Sequence, residues 1–303
     1  MNHSTVELRL WRQFVTLAEE LHFSRAAARL HMTQPPLTQA IAHLEKVLGV
    51  RLFDRTKRSV CLTATGAALL PAVRELLARA QSLPELARAA EAGEQGRLRL
   101  AFVSTAGFSL LPEWVRAFRQ KFPGVQLELL EATGDMQLQA FGRQEIDAGI
   151  MLHSPGFAPP GLERRLVATE PLMVALAEHH PLASATTLLL DEVLAQPLVI
   201  FPRRILPSLY DAIFVMYHAA AQPPNIVQEA IQMQTIVNLV SAGLGVAWVP
   251  QSVRQFQRPG VVYRSVSGPK SRRVPLCETS LVWPSGAINP CLQRFMEFAT
   301  PVR

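Results

Sequence analysis

The stretch that most constrains this chain is Phe23 to Ala42, FSRAAARLHMTQPPLTQAIA. It predicts two short helices around a tight turn. The first, Ser24–Leu30, opens on Ser24, whose hydroxyl can accept from the free amides of a first turn. Ala26, Ala27 and Ala28 are small enough to admit a neighbouring helix. His31-Met32 makes the turn and Thr33 caps the second helix. Pro35 and Pro36 fall in that helix's first turn, where a missing N–H costs nothing. Leu37, Ile41 and Leu44 recur at i, i+4 and i+7, which is one buried stripe. Gln34, Thr38, Gln39 and His43 occupy the other face, and all can hydrogen-bond base edges or phosphates. A helix that offers its N-terminal residues to a major groove is a helix-turn-helix. The competing reading is an ordinary helical hairpin in a globular core.

The flanks favour the first reading. Residues 6–20 predict a helix with Leu10, Phe14, Leu17 and Leu21 on its buried face. After the second helix of the pair, Glu45 to Gly49 ends on glycine. Two short apolar strands, Arg51–Phe53 and Val60–Leu62, then flank a basic turn in the manner of a wing hairpin. Arg55, Lys57 and Arg58 would reach phosphates or the minor groove. Residues 1–63 hold nine Lys/Arg against five Asp/Glu, so most of the chain's formal net charge of +6 gathers beside the helix pair. A basic patch there suits a polyanion.

Thr63 to Ala92 reads as one long helix, interrupted by Pro71 and Pro84, each of which should bend it. Leu69, Val73, Leu76, Ala80, Leu83 and Ala87 form a heptad-like seam for a partner helix. Gly93-Glu94-Gln95-Gly96 breaks it. From Arg97 onward strands and helices alternate, the texture of an α/β sheet. The strands run Arg97–Val103, Val125–Glu131, Asp147–Met151, Leu172–Ala177, Leu198–Phe201, Val246–Val249, Val261–Arg264 and Cys277–Trp283. These are too many for one small sheet, so two α/β subdomains are expected. Their ligand would sit beyond the carboxyl ends of the strands.

Composition bounds the function. Apolar residues make up 49% of the 303, enough for buried cores. The three cysteines, Cys61, Cys277 and Cys291, match neither a disulfide framework nor a metal knuckle. The N-terminus reads as no signal peptide, and no run approaches the ~20 apolar residues of a membrane span, so a cytoplasmic protein without membrane association is expected. No GxSxG elbow, HExxH or P-loop occurs. Gly243-Leu244-Gly245 follows a helix and precedes a strand, the wrong order for a dinucleotide loop. His179-His180 lies in a turn with no partner at metal spacing. Neither an enzyme, a cofactor nor a bound metal is expected. A solute-binding or enzymatic α/β protein with an unrelated helical head is the alternative.

The whole chain resembles the LysR-type transcriptional regulators. The resemblance rests on Phe23-Ser24-Arg25-Ala26-Ala27, Gln34-Pro35-Pro36-Leu37-Thr38-Gln39 with Ile41, Leu44-Glu45, Leu48-Gly49, Leu52-Phe53, Arg55, Leu62-Thr63 and Gly66. Further on it rests on Leu111-Pro112, Phe122-Pro123, Asp147-Ala148-Gly149, His180-Pro181-Leu182-Ala183 and Gly243-Leu244-Gly245. Leu198 to Arg203, together with Gln34-Pro35-Pro36, looks closest to the regulators of aromatic-compound catabolism, which respond to benzoate, muconate and chlorocatechol-derived ligands. The resemblance implies a winged helix-turn-helix over 1–63, a dimerising linker helix over 64–92 and an effector domain over 97–303 like the periplasmic binding proteins. Within it, subdomain I takes about 97–167 and 270–303, and subdomain II about 168–269. It also implies a dimer of dimers on promoter double-stranded DNA, a small carboxylate or aromatic-acid effector and contact with RNA polymerase.

Ser24, Arg25, Thr33, Pro35, His43 and the wing basics Arg55, Lys57 and Arg58 would then serve DNA, with Gln34, Thr38 and Gln39 reading bases. Members often carry Ser-Arg where this chain has Thr38-Gln39. That exchange removes a guanine reader, and Gln prefers adenine. Ser104, Thr105 and Thr133 would bind the effector, with Phe201, Pro202 and Arg203 bordering the cleft. Where relatives place an arginine after the third strand, this chain reads Met151-Leu152-His153, which argues against a dicarboxylate unless Arg203 or Arg204 supplies the charge.

Overall fold

The computed structural model describes residues 6–56, 59–108, 110–157 and 159–300, and it divides into two compact units, residues 1–88 and 89–303. In the first unit, α1 (Leu8–Glu20), α2 (Phe23–Arg29) and α3 (Gln34–Leu48) surround Phe14, Leu17, Ala26, Leu37, Ile41 and Leu44, all fully buried. Each such aliphatic side chain contributes about 1.5–3 kcal/mol by leaving water. The stripe expected on α3 is therefore the face that holds it to the other two helices.

Three local expectations change. Leu21 does not extend the buried face of α1. The helix stops at Glu20, and Leu21 is its exposed left-handed C-cap (φ 48°), with its N–H on Leu17 O. Ser24 does not cap α2. The helix begins one residue earlier, and His22 Nδ1 accepts from the Arg25 N–H at 3.4 Å instead. Thr33 stands at the N-cap position of α3, but its side chain makes no capping bond. The turn between the helices is a Schellman closure. Met32 N–H donates to Ala27 O at 3.0 Å, His31 N–H donates to Ala28 O at 3.1 Å, and His31 takes the left-handed conformation (φ 53°) that glycine usually fills.

Strands β1 (Phe53–Arg55) and β2 (Val60–Leu62) pair antiparallel, with Arg55 opposite Val60. The first of them starts two residues later than expected. The Leu52 and Phe53 amides donate to Glu45 Oε1, so the chain before Phe53 is held by a helix side chain rather than by the ladder. Helix α4 (Ala64–Glu91) runs on with Pro71 and Pro84 inside it. Of its expected seam, Val73 is buried and Leu69 half-buried, while Leu76 and Leu83 are exposed. Thr63 ties its start to the wing, donating to Arg51 O at 2.8 Å and accepting from Gly66 N–H at 3.0 Å.

The second unit comprises β3 (Gly96–Phe102), α5 (Ser104–Gly107), α6 (Leu110–Lys121), β4 (Val125–Glu131), α7 (Gly134–Gly142), β5 (Ala148–His153) and β6 (Leu162–Ala177). It continues through β7 (Thr187–Leu189), α8 (Leu190–Leu194), β8 (Leu198–Ile200), α9 (Pro207–Ala219), β9 (Ile226–Glu229) and α10 (Met233–Ser241). β10 (Ala247–Pro250), β11 (Val261–Ser267), β12 (Leu276–Pro284) and α11 (Pro290–Phe295) complete it. The sheet order is β4-β3-β5-β12-β6-β11-β7, with β10 also on β6.

Besides a small cluster of Ala101, Phe141, Ile146 and Met151, two larger cores lie along this order. One gathers Leu98, Leu100, Trp114, Phe118 and Phe295; the other gathers Val174, Leu198, Ile213, Tyr217 and Trp248. The long strand β6 serves both. Leu162–Pro171 pairs with β12, and Leu172–Ala177 pairs with β10 and β11. The sequence predicts only the second half of β6, because Glu163, Arg164, Arg165 and Leu166 are consecutively exposed and carry no alternation. Strand β9, exposed along its whole length, escapes for the same reason.

Gly66 marks the tightest approach in the first unit: a Cβ there would stand 2.2 Å from Leu52 O. Gly66→Ala should therefore cost about 1–3 kcal/mol, as overpacking does, despite alanine's better helix propensity. Chemical denaturation of the two proteins measures it, and an unchanged or higher stability would contradict the contact.

Candidate functional site

On α3, burial of Leu37, Ile41 and Leu44 leaves Gln34, Pro35, Gln39 and His43 exposed on the other side, with Thr33 exposed at the entrance. Gln34 is oriented by α2: the Ser24 hydroxyl donates to its Oε1 at 2.8 Å, which leaves the amide N–H groups pointing to other acceptors. Thr38 Oγ1 donates back to Gln34 O at 3.1 Å and so meets an incoming group as an acceptor only. Arg25 holds Glu20 through its carboxylate (3.4 Å) and carbonyl (2.6 Å) and remains largely exposed.

Arg55 differs from expectation. Its Nη2 donates to Glu45 Oε2 at 2.7 Å, and its guanidinium carbon lies 5.2 Å from the centre of the Phe23 ring. The charge is thus engaged inside the unit rather than presented free. Lys57 and Arg58, the other wing basics, lie outside the described residues.

In the second unit a pocket opens where strand ends meet helix starts. The three parallel strands β3, β4 and β5 deliver Ser104 and Thr105, then Thr133 and Gly134, then Leu152 to one side. Phe201 after β8, Leu206 before α9 and Gln232-Met233 at the start of α10 close the other. Thr133 and Gln232 are the N-cap residues of α7 and α10, and neither side chain caps its helix, so the helix starts, whose first amides have no intrahelical partner, border the pocket. Thr105 is 5% exposed, and its Oγ1 has no partner among the described residues. Thr133 instead spends its proton on Asp135 Oδ1.

Ser104, Thr105, Thr133 and Phe201 thus come together, and Pro202 and Arg203 do not line the pocket. Arg203 is mostly exposed and donates from Nε and Nη2 to the two oxygens of the Asp211 carboxylate at 2.7 Å, a pairing along the start of α9 that turns it towards that helix. No charged side chain lines the pocket among the described residues.

The rim is held from behind by residues that sequence reasoning missed. Gln137 is fully buried, and its Nε2 donates to Ala132 O (2.9 Å) and Ile150 O (3.2 Å), so it pins the Thr133 loop to β5. Gly149 leaves the room, since a Cβ there would stand 2.2 Å from Gln137 Oε1. His153, next to Leu152, is also fully buried. It bonds Ser280 Oγ at 2.9 Å and Ser154 O at 2.8 Å and stacks on Phe157 at 4.9 Å. Burial pushes its pKa down, and Arg164 adds to this, against the opposite pull of Ser154 O and of Glu278 at 3.7 Å. No periodicity separates a buried Gln or His from an exposed one.

A winged helix-turn-helix joined to a two-lobed α/β unit of the periplasmic-binding-protein kind defines a class of DNA-binding regulators. The chain matches the family described as "Bacterial regulatory helix-turn-helix protein, lysR family" over residues 8–67 and the "LysR substrate binding domain" over residues 91–302. It is 45% identical over 296 residues to the HTH-type transcriptional regulator IlvR of Caulobacter vibrioides, covering 97% of this chain and 98% of that protein.

Among solved structures, full-length CbnR complexed with its target DNA superposes with a TM-score of 0.78 at 29% identity, covering 97% of this chain and 98% of that one. Full-length BenM gives 0.56 at 25%, covering 97% and 95%. The chain belongs to the LysR family of DNA-binding transcriptional regulators, which are regulators rather than enzymes. No helix among the described residues is long and apolar enough to cross a membrane.

His153 makes the second unit sensitive to acid. Its folded pKa lies below its unfolded value, so its contribution to stability is present above about pH 6.5 and is lost as pH falls from there towards the folded value. Wild-type melting temperature should drop more between about pH 6.5 and 5 than that of His153→Gln; parallel curves would rule out His153 as the cause.

Proposed function

We propose that the chain responds to a small monocarboxylate with an apolar body, aromatic or branched, held in the pocket between the two lobes of residues 89–303. The observation that carries this reading is the pocket's division of labour. One end offers the unpartnered Thr105 hydroxyl, Ser104 and the first-turn amides of α7 and α10, all of which favour an anion. The walls are Leu152, Phe201, Leu206 and Met233, and among the described residues no arginine or lysine lines the space to neutralise a second carboxylate. The narrower likeness to aromatic-catabolism regulators is compatible with this chemistry.

On DNA, Gln34, Thr38 and Gln39 read base edges, while Ser24, Arg25, Thr33, Pro35 and His43 fit the helix against the backbone and Lys57 and Arg58 extend contact through the wing. Residues 1–63, 64–92 and 97–303 then act as reader, linker and sensor. The exposed Leu76, Leu83 and Leu86 on α4 favour dimerisation through that helix. A dimer of dimers on a bent promoter, working in the bacterial cytoplasm beside RNA polymerase, completes the reading. Effector closure of the cleft needs a coupling of only about 1–3 kcal/mol to alter promoter contacts.

Two measurements test it. Thermal-shift screening against benzoate-like, muconate-like and branched aliphatic acids should favour monoanions, with about 2.7 kcal/mol of stabilisation at 100 times the dissociation constant. Thr105→Val should weaken the best acid about tenfold, or 1.4 kcal/mol. Stabilisation by neutral compounds alone would discard the carboxylate. For DNA, Gln39→Ala should change sequence preference by a few-fold or more at fixed salt; unaltered selectivity in a random-pool selection would remove Gln39 from the base readers.

A further inference from the structure

The wing and the recognition helix meet at one carboxylate. Glu45 lies in the last turn of α3 with its side chain only 15% exposed. Its Oε1 accepts the Leu52 and Phe53 N–H groups at 2.9 and 3.1 Å, and its Oε2 accepts Arg55 Nη2 at 2.7 Å. Both oxygens are therefore committed, three times over, to the segment that enters and forms β1. On its other side the Arg55 guanidinium faces the ring of Phe23, the first residue of α2. Arg55 is also the last paired residue of β1, and the basic residues Lys57 and Arg58 follow it in the chain. Leu52 and Phe53 are buried in the same core as Leu37, Ile41 and Leu44, which limits how far the latch can shift.

We infer that Glu45 is a positioning residue for DNA binding. Its carboxylate latches Arg55 and the root of the wing to the end of the recognition helix, fixing the pitch of the wing against that helix. Arg55 is then a strut. One of its N–H donors is spent on the carboxylate and its face on the Phe23 ring, which fixes where the remaining donors point. The inference rests on the reading that the wing contacts DNA. It carries a sign opposite to simple electrostatics: removing a negative charge from a domain that binds a polyanion should strengthen binding, whereas releasing a latch should weaken it.

The test uses the full-length protein and a duplex enriched by the wild type from a random-sequence pool. Binding is read by fluorescence anisotropy at fixed salt, and backbone protection by hydroxyl-radical footprinting. Glu45→Gln keeps an acceptor for the two amides and loses only the ionic bond to Arg55, so its melting curve should match the wild type. It should bind about fivefold more weakly and lose protection at the flanks of the site while keeping protection over the half-sites. Arg55→Lys keeps the charge but not the planar fork, and it should show the same loss. Combining Glu45→Gln with Arg55→Gln should be no worse than Arg55→Gln alone, because both break one latch.

Equal or tighter binding by Glu45→Gln with intact flank protection would overturn the inference, as would wild-type affinity and footprint in Arg55→Lys. Wild-type protein that leaves the flanks unprotected would overturn the wing-contact reading and this inference with it.

Discussion

The antiparallel ladder between β6 and β12 is the constraint on which the sensing half depends. Each lobe has its own apolar core, and neither core can create the pocket alone. The ladder runs from Pro284 opposite Leu162 to Leu276 opposite Pro171, and β6 then passes straight into the second lobe. One continuous strand therefore belongs to both cores. Backbone hydrogen bonds leave such a strand little freedom along its length, so the strand ends of the two lobes face each other across a defined gap. Ser104, Thr133 and Leu152 meet Phe201 and Gln232 for that reason.

The pocket's chemistry follows from what those strand ends can offer. Parallel strands that lead into helices bring unsatisfied amides to one spot. This chain adds hydroxyls there, and among the described residues no cationic side chain lines the space. Behind the rim, buried polar groups provide the rigidity: Gln137 bonds across two elements, and Glu170 takes the Ser252 amide and hydroxyl, with burial pushing its carboxyl up against the opposing pull of those bonds. Buried hydrogen bonds of this kind are costly to break and fix local geometry, although Gln137 Oε1 itself has no partner among the described residues.

The DNA-reading half applies the same logic at smaller scale. Its interface residues are exposed because their neighbours are not: Leu37, Ile41 and Leu44 fix which side of α3 faces out. Polar contacts then refine the presentation. Ser24 sets the amide of Gln34, Thr38 turns its proton inward, and Glu45 gathers the start of the wing. In each case a polar side chain acts on its own element or on a neighbouring one.

That pattern separates what the sequence by itself determined from what tertiary structure decided. The helix pair, its turn, the apolar stripe, the long α4 and most of the β/α alternation were legible, because hydrophobic period, proline and glycine act over a few residues. Ser104, Thr105, Thr133 and Phe201 could be placed near a pocket from strand ends and family likeness. The cap of α2, the strand halves with no alternation, the engagement of Arg203 by Asp211 and of Arg55 by Glu45, and the burial of His153 and Gln137 were not legible. These depend on which distant group lies within hydrogen-bonding reach, and a one-dimensional pattern carries no information about that distance. Local periodicity chose the elements; the meeting of side chains in three dimensions chose their tasks.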